Sequence, residues 1–284
     1  MLDRRNRAIS LANLECVFGD SLTPAQQRDI ALASYVNSIR TLVDLFWSPA
    51  LMRPENRHWL RCEGAERVRG RLAREKRGAI VLTLHFGNWE WASHALAGAG
   101  LPALTVTDDF RNPGIGAIVK RLRESGGQVI IPQERSMLRM LREVKRGGTA
   151  AFLADLTVPP TQACAVIRTF GLEMCVSVLH GVLALRANAL VIPLLCLPHP
   201  DGSSVMQLLD PLDIPPGATP ADVAQLCWNR YEPIIRARPE LWLWIYKHFR
   251  YRPHAAEARY PFYAYEWDLF DRLRAQPHEP AGSV

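Results

Sequence analysis

The sequence predicts an α/β fold: a mostly parallel central sheet flanked by helices, preceded by an N-terminal helical cap. Three observations carry that prediction. From residue 79 onward, short β-branched and aliphatic runs alternate with longer segments of helical periodicity. Before residue 47 the apolar residues recur only at helical spacing. No internal repeat or long linker interrupts the alternation, which favours parallel strands joined by crossover helices.

The elements follow in chain order. Residues 4–18 place apolar side chains at helical spacing beside Arg4, Arg5 and Arg7. Thr23-Pro24-Ala25-Gln26 opens a second helix, with threonine at the cap and proline at the first position. Ile30, Ala33, Val36, Ile39, Val43 and Phe46 then repeat at helical spacing. This basic, amphipathic region suits an anionic membrane face, or packing on the domain behind it, and the two are compatible. Residues 61–77 carry Arg61, Arg67, Arg69, Arg71, Arg74, Lys76 and Arg77 against Glu63, Glu66 and Glu75. Without interleaved aromatics this is no nucleic-acid stripe; it reads as a solvated helix face or a phospholipid contact. Strands are expected at 79–84, 103–107, 128–131, 149–154, 189–197 and 204–210, and helices at 89–99, 113–124, 136–146, 175–187 and 220–237. Asp210-Pro211-Leu212-Asp213-Ile214-Pro215-Pro216 is a loop, and the polar tail from Gln276 is rich in proline and glycine. The expected division is a helical region over 1–60 packed on the core, an α/β domain over 61–255, and a C-terminal helix and tail over 256–284.

Composition narrows the function classes. At 284 residues and 48% hydrophobic, the chain can bury a large core. Its six cysteines are scattered, with no Cys-x-x-Cys pair, which indicates reduced thiols in a cytosolic compartment, not a disulfide framework or zinc site. No metal or cofactor is expected. A net charge of +6 suits an anionic partner: phospholipid headgroups, a phosphorylated glycolipid, an acidic carrier protein or nucleic acid. No run approaches the ~18 apolar residues that span a bilayer. The basic start is not followed by an apolar signal region.

The chemistry concentrates in Leu84-His85-Phe86-Gly87-Asn88-Trp89-Glu90. A buried strand ends in a histidine, and open α/β sheets bind ligands just outside that edge. A carboxylate five residues later, in a first helical turn, makes His85 and Glu90 a base-plus-orienter pair: the imidazole takes a proton and the carboxylate fixes its tautomer. Each residue also has a structural reading. His85 can be a hydrogen-bonding residue, Asn88 an N-cap, Glu90 a response to the helix dipole, and Trp89 and Trp91 core. Backbone amides around Gly87-Asn88 are candidate oxyanion donors. Arg111 and Asn112 follow a strand as a phosphate-facing loop would, or form an ordinary turn with a surface arginine. Asp155 ends a strand at the same edge, to contact an acceptor, support the arginine loop or cap its own loop. No Gly-x-Ser-x-Gly elbow occurs, so no serine nucleophile of that type is marked. Gly98-Ala99-Gly100-Leu101-Pro102-Ala103 follows a helix instead of a strand, so it is no dinucleotide fingerprint. His85 and His94 lack a metal-binding His-Glu-x-x-His frame. His180 and His248 read as structural. Trp242, Trp244, Tyr246 and Phe249 read as core packing ahead of a ligand channel or a membrane contact.

His85-Phe86-Gly87-Asn88-Trp89-Glu90 resembles the His-x4-Asp/Glu block of glycerolipid and lipid A acyltransferases. The Asn-Trp before the acid is similar to the lauroyl/myristoyl branch of lipid A biosynthesis. Phe110-Arg111-Asn112-Pro113, Ala154-Asp155, Phe170-Gly171, Val191-Ile192-Pro193 and Arg238-Pro239-Glu240-Leu241-Trp242-Leu243-Trp244 with His248, Arg250 and Arg252-Pro253 resemble that branch's later blocks, in its order. The resemblance covers about residues 8 to 253. It implies transfer of a fatty acyl chain from an acyl carrier protein or coenzyme A thioester to a hydroxyl of a membrane glycolipid such as a lipid A precursor. It also implies His85 as base, Glu90 as its orienter, and Asn88, Arg111, Asn112, Arg135 and Asp155 at the substrate. The location implied is the cytoplasmic face of the bacterial inner membrane, with peripheral membrane contact. The sequence departs from the family in two places. The usual apolar N-terminal anchor is absent, so the chain attaches peripherally or begins downstream of a lost anchor. In Ile130-Ile131-Pro132-Gln133-Glu134-Arg135, before Ser136-Met137-Leu138, only Arg135 stands near the family's further basic position. The alternatives are acylation of a lysophospholipid or specialised lipid, hydrolysis of an acyl thioester, and lipid binding without catalysis.

Overall fold

The computed structural model describes residues 3–106, 112–132, 134–256 and 259–275. The chain forms two compact units, one of residues 39–153 and 183–213, the other of residues 1–38, 154–182 and 214–284.

The first of these holds a seven-stranded sheet in the order β1-β9-β8-β2-β5-β3-β4. Its strands are β1 (Leu60–Glu63), β2 (Ala79–Thr83), β3 (Ala103–Val106), β4 (Val129–Ile131), β5 (Thr149–Leu153), β8 (Leu190–Pro198) and β9 (Ser204–Leu208). All neighbours run parallel except β8 and β9, a hairpin closed from His199 N–H to Ser203 C=O. The helices are α3 (Ser48–Leu51), α4 (Ala65–Glu75), α5 (Ala92–Gly98), α6 (Pro113–Glu124) and α7 (Ser136–Lys145). β2 sits between β5 and β8 and is buried along its whole length, which is why its sequence is apolar apart from the final Thr83. On one face of the sheet, Ala79, Val81, Ile192, Leu194 and Met206 pack against Val68 and Leu72 of α4 and Ala92, Ala95 and Leu96 of α5.

The expected α/β architecture is present, with two local differences. Residues 61–77 are not one charged helix face. β1 precedes α4, and its alternating Leu60, Arg61, Cys62 and Glu63 half-bury an edge strand against β9. The expected helix over 175–187 begins only at Leu179, because β6 (Cys164–Thr169) and β7 (Leu172–Ser177) pair as an antiparallel hairpin. The hairpin turns on Phe170 and Gly171, both at positive φ (57° and 76°), as a two-residue turn between twisted strands requires.

That hairpin belongs to the second unit, with α1 (Arg4–Phe18), most of α2 (Pro24–Asp44), the start of α8 (Leu179–Ala187), α9 (Pro220–Ala237), the short pair β10 (Tyr251–Arg252) and β11 (Tyr265–Glu266), and α10 (Asp268–Ala275). Thr219 and Asp222 close a capping box at the start of α9. Asn13 of α1 donates to the carbonyls of Trp244 (2.8 Å) and Tyr246 (2.9 Å), and Ser34 of α2 donates to that of Trp242. These bonds satisfy a tryptophan-rich segment that has no ladder of its own. Trp242, Trp244 and Phe249 are fully buried, as core packing predicts.

Helix α2 presents its apolar stripe outward. Ala31, Ser34, Ser38, Thr41 and Leu45 face inward, whereas Val36, Ile39, Val43 and Phe46, the apolar stripe of the sequence, are exposed. Among the described residues no helix is long and apolar enough to cross a membrane.

Candidate functional site

The loop leaving β2 is built by alternation and one glycine. Leu84 and Phe86 are buried, and His85 between them is half-buried at the C-terminal edge of the sheet. Gly87 adopts φ +62°, and a Cβ there would lie 1.6 Å from the Cys196 carbonyl oxygen of β8. Only glycine lets the loop pass that close to its neighbour. Thr41 Oγ1 of α2 donates to the Gly87 carbonyl at 3.0 Å.

Asn88 occupies the expected cap position, but its side chain does not cap. Its amide donates to Asp44 Oδ2 (2.8 Å), and Trp91 Nε1 donates to the Asp44 carbonyl (3.0 Å). The end of α2 therefore fixes the loop from outside. Burial holds the Asp44 carboxyl above its usual range, with Arg40 opposing. Folding thus favours its protonated form, and that contribution is present at acidic pH and lost as the pH rises through the raised value. Asp44→Asn, which keeps an acceptor for Asn88, is expected to match wild-type stability to within about 0.5 kcal/mol at neutral pH. In chemical denaturation, wild type should gain on the Asn variant as the pH falls. Asp44→Ala should instead cost about 1–3 kcal/mol by leaving the Asn88 amide without its acceptor.

Glu90 lies in the single 3-10 turn Trp89–Trp91 that precedes α5. Both its oxygens are held by Arg123 of α6, at 2.8 Å from Nε and 2.7 Å from Nη2, and both side chains are largely buried. This fork-on-fork pairing fixes the plane of the carboxylate. Trp89 sets its ring edge-on to His85, with centroids 5.2 Å apart. His94 is buried beneath this turn with Nε2 near the Leu122 carbonyl (3.2 Å), and burial lowers its pKa. It links α5 to α6.

The profile of the bacterial lipid A biosynthesis acyltransferase family matches residues 1–251. The chain belongs to that family. It is an acyltransferase, and it is similar to the lipid A biosynthesis lauroyltransferase of Escherichia coli (strain K12), 22% identical over 267 residues that cover 90% of this chain and 83% of that protein.

The other residues expected at the acyltransferase site are dispersed. Arg111, with Phe110, lies outside the described residues. Asn112 caps α6, its Oδ1 accepting from Gly114 N–H (2.9 Å) and Ile115 N–H (3.3 Å), so it starts the helix that carries Arg123. Arg135 is exposed at φ 55°, just before α7 and after β4. β4 lies three strands from β2, about 14 Å across the sheet. Asp155 follows β5 by two residues and belongs to the second unit, where it is fully buried. Its Oδ2 accepts from Trp242 Nε1 (2.9 Å), and the Trp242 ring stacks on His248 at 4.0 Å.

Arg123 was not among the sequence candidates. It is one of several basic residues in Lys120-Arg121-Leu122-Arg123, and its partner lies 33 residues away, so no local signal marks it. The cysteines in the unit that holds His85 are poor nucleophiles, because burial pushes Cys62 up to about 11 and Cys196 up to about 12. Among the described residues no cluster of metal-ligating side chains occurs.

Proposed function

We propose that this acyltransferase moves a fatty acyl chain from an acyl carrier protein or coenzyme A thioester to a hydroxyl of a membrane glycolipid of the lipid A precursor type, with His85 as general base. The observation that carries this reading is the Glu90 carboxylate. It is buried and locked by Arg123 in the same short loop as a histidine at the sheet edge. A hydroxyl must lose its proton as it attacks, and an imidazole with a fixed tautomer can take it. The hydroxyl oxygen bonds to the thioester carbonyl carbon while His85 accepts the proton. The tetrahedral adduct then expels the thiolate, which recovers the proton from the imidazolium, giving an ester and a free thiol. Glu90 orients the ring and offsets its transient charge. Family membership and the likeness to a lauroyltransferase support the acceptor class.

The remaining residues have supporting roles in this reading. Asn88 holds the loop through Asp44, Asn112 starts the helix that carries Arg123, and Arg111 and Arg135 meet phosphate groups of the acceptor. Asp155 fixes Trp242 and acts by positioning. The enzyme works at the cytoplasmic face of the inner membrane through peripheral contact.

The test is incubation of the protein with radiolabelled acyl thioester, on acyl carrier protein or on coenzyme A, and a membrane-lipid extract. Label in an ester-linked glycolipid is the expected product, and the better carrier names the donor. Label in a lysophospholipid acceptor would reassign the acceptor, and label only in free fatty acid would make the enzyme a thioester hydrolase.

A further inference from the structure

Helix α2 and the turn after it are inside out for a protein surrounded by water. Thr41 and Ser48 face the interior, while Ile39, Leu42, Val43, Phe46 and Trp47 face outward, with Val43 61%, Phe46 65% and Trp47 58% exposed. Scattered exposed apolar residues are ordinary, but a continuous run of large ones above a small, polar inner face is not. The turn at Leu45–Trp47 packs beside α6, which adds exposed Ile115 and Ile118.

The exposed charges within the patch itself are basic, and the next carboxylate along α6, Glu124, is paired with Lys120 at 3.9 Å. Arg40 and Arg121 are exposed one helical turn from Val43 and Ile118, and Lys120 lies beside them. Within residues 39–47 and 113–121 the only carboxylate is Asp44, which is not exposed and is bonded to Asn88. Aromatic and aliphatic side chains flanked by the exposed cations Arg40 and Arg121 match the boundary between anionic headgroups and acyl chains.

We infer that the surface made by Ile39, Val43, Phe46, Trp47, Ile115 and Ile118 inserts into the headgroup–acyl boundary of an anionic bilayer. The partner is the lipid surface itself. The inference deepens the proposed function and rests on its membrane acceptor. The inserted segments also hold the His85 loop, through Thr41, Asp44 and, further along α6, Arg123. Docking therefore brings that loop to the lipid surface and limits turnover to acceptors presented there.

The experiment is co-sedimentation of the full chain with vesicles of phosphatidylcholine, with and without phosphatidylglycerol. Wild type should bind the anionic vesicles, and Val43→Ser/Phe46→Ser/Trp47→Ser should bind at least ~10-fold more weakly with an unchanged circular dichroism spectrum. Phe262→Ser, a change at an equally exposed aromatic, should bind as wild type does. Should the triple variant fail to fold, Arg40→Glu/Arg121→Glu tests the same surface and should lose the preference for phosphatidylglycerol. Brominated acyl chains should quench a fraction of the tryptophan emission that disappears in Trp47→Phe. Equal vesicle binding by wild type and the triple variant would overturn the inference, as would no binding by wild type. A triple variant that turns a wild-type dimer into a monomer and leaves vesicle binding unchanged would assign the patch to a second copy of the chain. Acyl transfer to a detergent-dispersed acceptor separates the two readings: the triple variant should retain it there and lose it on vesicles. Patch-dependent vesicle binding by a wild-type protein that transfers no acyl group would sink the proposed reaction and leave the docking surface standing.

Discussion

Arg123→Ala is expected to abolish acyl transfer and to destabilise the protein by about 3–5 kcal/mol, the scale of stranding one partner of a buried ion pair. The guanidinium makes two bonds to Glu90, at 2.8 and 2.7 Å, with little of either side chain exposed. Without it, the carboxylate must be buried unpaired, take up a proton or swing toward water. On the proposed mechanism, any of these removes the negative group that orients His85, so kcat should fall at least ~100-fold. Arg123→Lys keeps the charge but not the fork, and should restore stability more fully than rate. The double change Glu90→Gln/Arg123→Met removes both charges. Urea denaturation should show it more stable than Arg123→Ala, while its activity stays at the level of the single variants. Recovery of activity in the double variant would show that the pair serves the fold alone.

Gly87→Ala should be nearly as damaging by a different route. The methyl group would stand 1.6 Å from the Cys196 carbonyl and 3.0 Å from Pro198 Cδ, in a backbone conformation that L side chains rarely adopt. Cys196 lies in a fully buried stretch of β8 paired through to β2, so the loop must yield by an ångström or more. The expected result is a loss of at least about 3 kcal/mol in denaturant unfolding. If the His85 loop carries the proposed chemistry, displacing it on that scale should also lower kcat by ~100-fold or more. A variant with native stability and activity would mean that β8 gives way easily.

How much of this was legible in the sequence depended on where each signal was stored. The strands β2 and β8 announce themselves because both faces are buried over most of their length and their sequences are almost wholly apolar. β1 was hidden because an edge strand of four residues with Arg61 and Glu63 on its outer face resembles the charged helix that follows. The β6–β7 hairpin was hidden because Phe170, a bulky residue, takes the left-handed turn position where a glycine or asparagine would be the usual sign. In α2 the periodicity located an apolar stripe correctly but could not say whether it faced protein or lipid, since either buries it from water. His85, Asn88 and Glu90 were legible because they share one short loop. Their supports, Thr41, Asp44 and Arg123, reach that loop from distant segments, and pairing of that kind leaves no trace in local spacing.

The central claim is that His85 takes the acceptor proton. It is tested most directly by single-turnover acyl transfer from a labelled acyl thioester to the extracted lipid acceptor, with wild type and His85→Ala at matched concentration and equal thermal stability. A fall in the transfer rate of at least ~100-fold in the variant, with substrate binding retained, is the predicted result. Transfer by His85→Ala within a few-fold of wild type would contradict it, and would place the base elsewhere in the molecule.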